Sequence, residues 1–434
     1  MLSRRALLRL GLFQMAAGGL SVIFLGVLNR VMRVEMGIDL FAVSLLIGGG
    51  HYLGALVAIP FGFFSDTHTI AGYRRTLYIV LGAFVTASVL AVSPWVAQWL
   101  SVSTSPFKLF LGFLFFLLEG ISTYVAGTAF LALIVDRTSQ EERGRVTAVV
   151  WTMLFVGIIL TGIGTSIVLE EYSFEGMLTL FLIGSSVAVT LSLIALVGQE
   201  KRRQKARQKP TGRLADALRL VLQSRNSRYF GIFLLLSMFS FFMQDVILEP
   251  FGGEVLGLAL SETTLFNAYM GVGLIASMLV GGIYLIPRKG KRWVTEIGCW
   301  ILVAAFLGLA STSFMESGSA IVMIVAFVGL GGGLFTVGGV ALMMDMTLSE
   351  HTGLFVGAWT LVQALARGPA SLASGGLFNI FSSYGASAAQ GYGSVFLVEA
   401  LGLGISLIFL RQVAVGDFQK EAHSFTGFAS EAMD

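Results

Sequence analysis

Apolar stretches of about 20 residues recur along the whole chain, separated by short polar connections. A helix rises about 1.5 Å per residue, so each stretch matches the roughly 30 Å hydrocarbon thickness of a bilayer. The pattern predicts twelve transmembrane helices, at 11–33, 40–64, 75–97, 107–134, 146–168, 176–198, 229–250, 262–286, 293–314, 318–344, 353–378 and 390–411. One long polar segment, "QEKRRQKARQKPTGRLADALRLVLQSRNSR", falls after the sixth and divides the series six and six. The predicted organisation is a six-helix bundle (1–198), a basic linker (199–228), a second six-helix bundle (229–411) and a tail (412–434). Within the linker, Leu214, Leu218, Val221 and Leu222 form one apolar stripe, which predicts a short amphipathic helix on the membrane surface. The expected fold class is an all-α membrane protein of two pseudo-symmetric bundles.

The two halves resemble each other in sequence. "ALIVDRTSQEERG" (132–144) aligns without a gap to "ALMMDMTLSEHTG" (341–353), with Ala, Leu, Asp, Thr and Gly recurring at one offset. In the first copy Asp136 is expected to pair with Arg143 or Arg145, and Thr138 to cap the next helix. Charge sets the orientation. Of 28 Lys and Arg residues, 24 fall on one side of the predicted spans, which places both termini in the cytoplasm. Ser3-Arg4-Arg5 loosely resembles a twin-arginine export signal, but the long apolar run that follows favours basic anchoring of the first span.

Parallel six-helix halves on a basic linker are the sequence form of a major facilitator. "GFFSDTHTIAGYRR" (62–75) resembles the loop motif of that superfamily, through Gly62, Asp66, Gly72, Arg74 and Arg75. In the family this loop stabilises one state of the cytoplasmic side, so these five residues are expected to form a cytoplasmic gating loop. Its second copy, "GGIYLIPRKGKR" (281–292), lacks the aspartate. "NRVMRVE" (29–35) and "MQDVILEPFGGEVLGLALSETTL" (243–265) narrow the resemblance to the bacteriochlorophyll-delivery, PucC-type branch. That resemblance implies handling of chlorophyll or bacteriochlorophyll in a photosynthetic membrane. It also implies partnership with antenna or photosystem apoproteins during their assembly. The alternative is an ion-coupled transporter of a small solute, with Glu119 or Asp245 taking the proton.

Ionisable groups inside the spans are the candidate chemistry, because isolation in lipid is costly. Arg30 ends the first span as Asp245 and Glu249 end the seventh, and a latch between Arg30 and either acid is expected to close the outer side. Pro250 and Gly252-Gly253 are expected to stop the seventh helix. Asn29, Glu119, Gln244, Gln363 and Arg367 are expected to be polar groups of the cavity, with Glu119 and Arg367 able to pair across the halves. Glu399 is a further deep acid. Of four histidines only His51 falls inside a span, which makes it the first candidate axial ligand for a pigment magnesium, ahead of Gln244 and Asn29.

With 56% hydrophobic and 12% charged residues among 434, the composition excludes a soluble globular domain. The single cysteine, Cys299, leaves no partner for an internal disulfide or a cysteine metal cluster, and no bound metal site is expected. There is no GxSxG, phosphate loop or HExxH, so a non-enzymatic role is expected. The basic linker reads as a membrane-surface or protein-docking element rather than a nucleic-acid site.

Overall fold

A computed structural model describes residues 4–57, 61, 68–138, 140–200, 225–346 and 352–414. Gly62, Asp66, the amphipathic stripe of the linker and the end of the tail lie outside the described residues. All twelve predicted spans correspond to helices. They are α1 Arg5–Glu35, α2 Leu40–Val57, α3 Thr76–Val102, α4 Pro106–Arg137, α5 Gln140–Val168 and α6 Phe174–Leu196 in the first half. The second half has α7 Arg225–Glu254, α8 Leu260–Lys289, α9 Lys291–Phe314, α10 Ile321–Asp345, α11 Thr352–Ser383 and α12 Ala388–Leu410. Among the described residues eleven of them are long and apolar enough to cross a membrane; the twelfth is α11, part of whose side chains lie outside the described residues. Its 32 residues still span about 48 Å, ample for a crossing.

Helices are broken or widened where the chemistry sits. The first helix winds as π-helix over Val22–Leu28 and Val31–Glu35, with Asn29 and Arg30 between the two segments. The second does so over Ser44–Gly49. The seventh is interrupted at Met243 and then continues as helix to Glu254, so Pro250 and Gly252-Gly253 do not end it. The reason is a substitute hydrogen bond. A proline nitrogen at 250 cannot donate to the Val246 carbonyl one turn back. Asn29 Nδ2 donates to that carbonyl instead, at 2.8 Å, from the opposite half of the molecule. Ser93 Oγ likewise donates to Leu90 O at 2.7 Å, where Pro94 inside α3 leaves that carbonyl without its helical donor.

The apolar core has three parts. One fills the second half and includes Leu40 from α2. A second lies in the first half around Val27, Leu28 and Phe116, and includes Leu260 from α8. The third, around Phe13, Phe130 and Leu133 of the first half, has no member from the second half among the described residues. Among the described residues these clusters join the halves at the end where α1 meets α2, here called the far end, as opposed to the end that carries residues 4 and 414. The contact surface between them is the seam.

Salt bridges at the terminus-bearing end obey the internal repeat. Asp136 faces Arg74 and Arg75, each at 3.5 Å, and its repeat partner Asp345 binds Lys291 at 2.6 Å. The side chains of Arg143 and Arg145, the partners expected for Asp136, lie outside the described residues. The turn before α3 is tight: Ile70 and Tyr73 exchange backbone hydrogen bonds at 2.9 and 2.8 Å, around Ala71 and Gly72 with φ of 50° and 82°. Glycine suits that left-handed position. Thr138 Oγ1 donates to Ile134 O at 2.7 Å at the end of α4.

Candidate functional site

The seam holds a cluster of polar side chains at membrane depth. His51 on α2 lies 2.6 Å, Nδ1 to Oε2, from Glu119 on α4. An ionised Glu119 accepts from Nδ1–H, which leaves Nε2 as the nitrogen with the lone pair. Thr123 Oγ1 donates to the other Glu119 oxygen at 2.8 Å. Local sequence explains the meeting. A side chain at Gly120 would sit 2.2 Å from the His51 carbonyl, and one at Gly54 would sit 2.2 Å from the Gly120 backbone. Only glycines let α2 and α4 approach this closely. The rings of Phe24, Tyr52 and Tyr124 surround the imidazole at 5.5, 5.0 and 5.4 Å.

Across the seam stands Asp245. Tyr52 OH donates to its Oδ2 at 2.6 Å, and Gln244 Nε2 donates to Oδ1 at 2.7 Å. Arg367 on α11 stacks over Phe242, with its guanidinium carbon 4.0 Å from the ring centroid. Its charge reaches Asp245, Tyr52 and Tyr124. Glu399 on α12 is fully buried, with neither carboxylate oxygen hydrogen-bonded. Asn29 and Gln244 lie at the seam. Gln363 does not: its Nε2 faces Met343 Sδ at 3.6 Å, inside the second half.

Two expected ion pairs are absent. Arg30 does not meet Asp245 or Glu249. It binds Glu35 at 2.6 Å and the Leu258 carbonyl at 2.8 Å. The π-helical winding explains the first bond: its wider turn stacks residue 35 beneath residue 30, which an α-helix would rotate away. Glu249 is held by Asn267 of α8 instead. Arg30 still ties the halves together, but through a backbone carbonyl. Glu119 and Arg367 do not pair either, because His51 and Thr123 occupy both Glu119 oxygens.

The far end carries further ties across the seam. Arg33 grips both oxygens of Glu254, at 3.0 and 2.7 Å, and Tyr392 OH donates to the same carboxylate at 2.7 Å. Asn379 Nδ2 donates to Asp39 at 2.9 Å. Arg33, Asp39, Glu254, Asn379 and Phe378 line a cavity of about 470 Å³. The bonds that Asn29, Arg30, Arg33, Tyr52 and Asn379 make between the halves lie from Asp245 to this end. None of Arg33, Asp39, Tyr52, Tyr124 or Asn379 was singled out by sequence reasoning. The loop from 62 to 75 shows a further omission: Glu200, just beyond α6. It accepts from the Arg74, Arg75 and Thr76 amides at 2.7, 3.0 and 2.8 Å and from Thr76 Oγ1 at 2.8 Å. Burial opposes its charge, but these bonds hold its carboxyl below the usual carboxylate range.

Two parallel six-helix bundles meeting at a polar seam define a major facilitator fold. Solved transporters share it: the bacterial homologue of the human lysosomal transporter Spinster, inward-facing and unoccupied, superposes with a TM-score of 0.69 at 14% identity, covering 98% of this chain and 99% of that one. Within that fold the chain belongs to the PUCC protein family, whose model matches residues 27–418. It is 32% identical to Protein PucC of Cereibacter sphaeroides, over 94% of this chain and 91% of that protein. It is 30% identical to the Bacteriochlorophyll synthase 44.5 kDa chain of Rhodobacter capsulatus, over 91% of each.

Proposed function

We propose that the protein handles chlorophyll-type pigment during assembly of light-harvesting or photosystem complexes. It would work in a photosynthetic membrane with both termini cytoplasmic, and it would not be an enzyme. The observation that carries this reading is family membership over nearly the whole chain, beside relatives named for PucC and for bacteriochlorophyll synthesis. The seam supports it chemically. Carboxylates that hold one imidazole nitrogen commonly orient the other toward a metal, as Glu119 holds His51. A pigment magnesium would be taken by His51 Nε2, and the aromatic rings around it offer apolar surface to a macrocycle. Those rings also crowd the imidazole, so the halves would part to admit one. The cytoplasmic loop with Gly62, Asp66, Gly72, Arg74 and Arg75 would steady one state of that movement, and the far-end ties the other.

Gentle purification from the native membrane, followed by pigment analysis and identification of bound subunits, tests the reading. Stoichiometric pigment, or a captured antenna or photosystem subunit, is the expected result. Saturable uptake of a small solute into pigment-free vesicles, without pigment or client, would favour ion-coupled transport through Glu119 or Asp245.

A further inference from the structure

We propose that Arg367 is the anion-recognition residue of the seam, taking the free carboxylate of a ring-bearing amphiphile. The ring system is where this rests on the pigment reading: there the ligand is a tetrapyrrole whose propionate is not esterified.

Arg367 stands in the middle of α11, against α2, where a Cβ added at Gly368 would meet Tyr52 Cβ at 3.7 Å. Its Nε is buried and has no partner. No carboxylate lies within ion-pairing distance of it among the described residues. The acids nearby are spoken for. Asp245 is held by Tyr52 and Gln244, and Glu119 by His51 and Thr123. A guanidinium at membrane depth is expensive to keep, and stacking on Phe242 offsets only part of that cost. Its planar fork of N–H donors matches a carboxylate with two parallel hydrogen bonds. Tyr124, whose hydroxyl feels the same charge, adds a donor beside it. Phe242, Tyr52 and Tyr124 supply ring faces around the fork. An ester offers neither the charge nor the second acceptor oxygen in the same form, so the site separates free acid from ester.

The test is fluorescence titration of the full chain in lipid nanodiscs with two pairs of probes: pheophorbide a and its methyl ester, and 1-pyrenebutyrate and its methyl ester. Wild type is expected to favour pheophorbide a over its ester by about tenfold or more, the size of one charge-assisted hydrogen bond. Arg367→Gln should erase that preference and leave ester binding unchanged. Arg367→Lys, which keeps the charge without the fork, should retain part of it and serves if the glutamine variant does not fold. Equal affinity for acid and ester in both wild-type pairs, or a preference that survives Arg367→Gln, overturns the inference. Tight binding of both pheophorbides in that case leaves pigment handling standing. An Arg367-dependent preference seen only with pyrenebutyrate supports the anion site and removes the tetrapyrrole as its ligand.

Discussion

The hydrogen bond from Asn29 to Val246 O makes a sharp prediction because its purpose is specific. Pro250 deprives that carbonyl of its helical donor, and Asn29 supplies one from the other half. Asn29 is fully buried, so no water replaces it. Replacing Asn29 with leucine, of similar volume, leaves a buried carbonyl unpaired. That costs about 1–3 kcal/mol. In a Pro250→Ala background the alanine N–H can make the ordinary helical bond to Val246 O. There, Asn29→Leu should cost almost nothing through this bond. The two changes therefore couple, by about 1–3 kcal/mol in a double-mutant cycle.

Reversible unfolding of the four purified proteins in mixed micelles measures the cycle. An Asn29→Leu cost that is the same in both backgrounds, within about 0.5 kcal/mol, would refute the reasoning. So would an Asn29→Leu variant as stable as wild type. Asn29 would then be a packed polar residue whose bond to Val246 is incidental.

Three further outcomes follow from the geometry. Gly120→Ala would normally gain about 1 kcal/mol in helix propensity, but here the new methyl meets the His51 carbonyl at 2.2 Å. The expected result is a net loss of about 1–3 kcal/mol in thermal stability, and a stabilised variant would show that α2 and α4 do not cross so closely. Glu200 has its folded pKa lowered, so its contribution is present above the ordinary glutamate value of about 4.3 and fades as pH falls through the folded value. The stability gap between wild type and Glu200→Gln should thus be constant from neutral pH down to about 4.3 and shrink below it; a gap independent of pH would remove the carboxylate from the account. Arg30→Gln should destabilise the far end by about 1–3 kcal/mol even when Asp245 is replaced by Asn, because its partners are Glu35 and Leu258 O; full coupling to Asp245 in unfolding measurements would restore the direct latch.

How much of this was readable beforehand follows from what each feature depends on. The twelve helices, the two halves and the repeat of Asp136 in Asp345 were legible, because hydropathy and internal alignment record them directly. The seam's membership was partly legible: buried charge in a span is rare enough to single out His51, Glu119, Asp245 and Arg367. The pairings were not. Arg30 found Glu35 through π-helical winding, for which the sequence carries no pattern. Glu119 found His51 because two glycines bring α2 onto α4, a crossing that spacing within one helix does not encode. Tyr52 and Tyr124 escaped notice because a tyrosine in a span reads as an ordinary ring. Asn29 could have been tied to Pro250 in principle, since a proline in a span always leaves a carbonyl to satisfy.

The central claim is that the halves must part at the seam for pigment to be handled, and fastening the far end tests it most directly. Asn379 and Asp39 touch across the seam at 2.9 Å, so cysteines at both positions can be joined by a short bifunctional thiol reagent. The native Cys299 is buried and out of the way. The measurement is antenna absorbance in cells that lack their own PucC-family protein and carry either the double variant or each single variant. With the reagent, the double variant should lose antenna assembly while both single variants keep it. Complete crosslinking with antenna levels equal to the single variants would contradict the account.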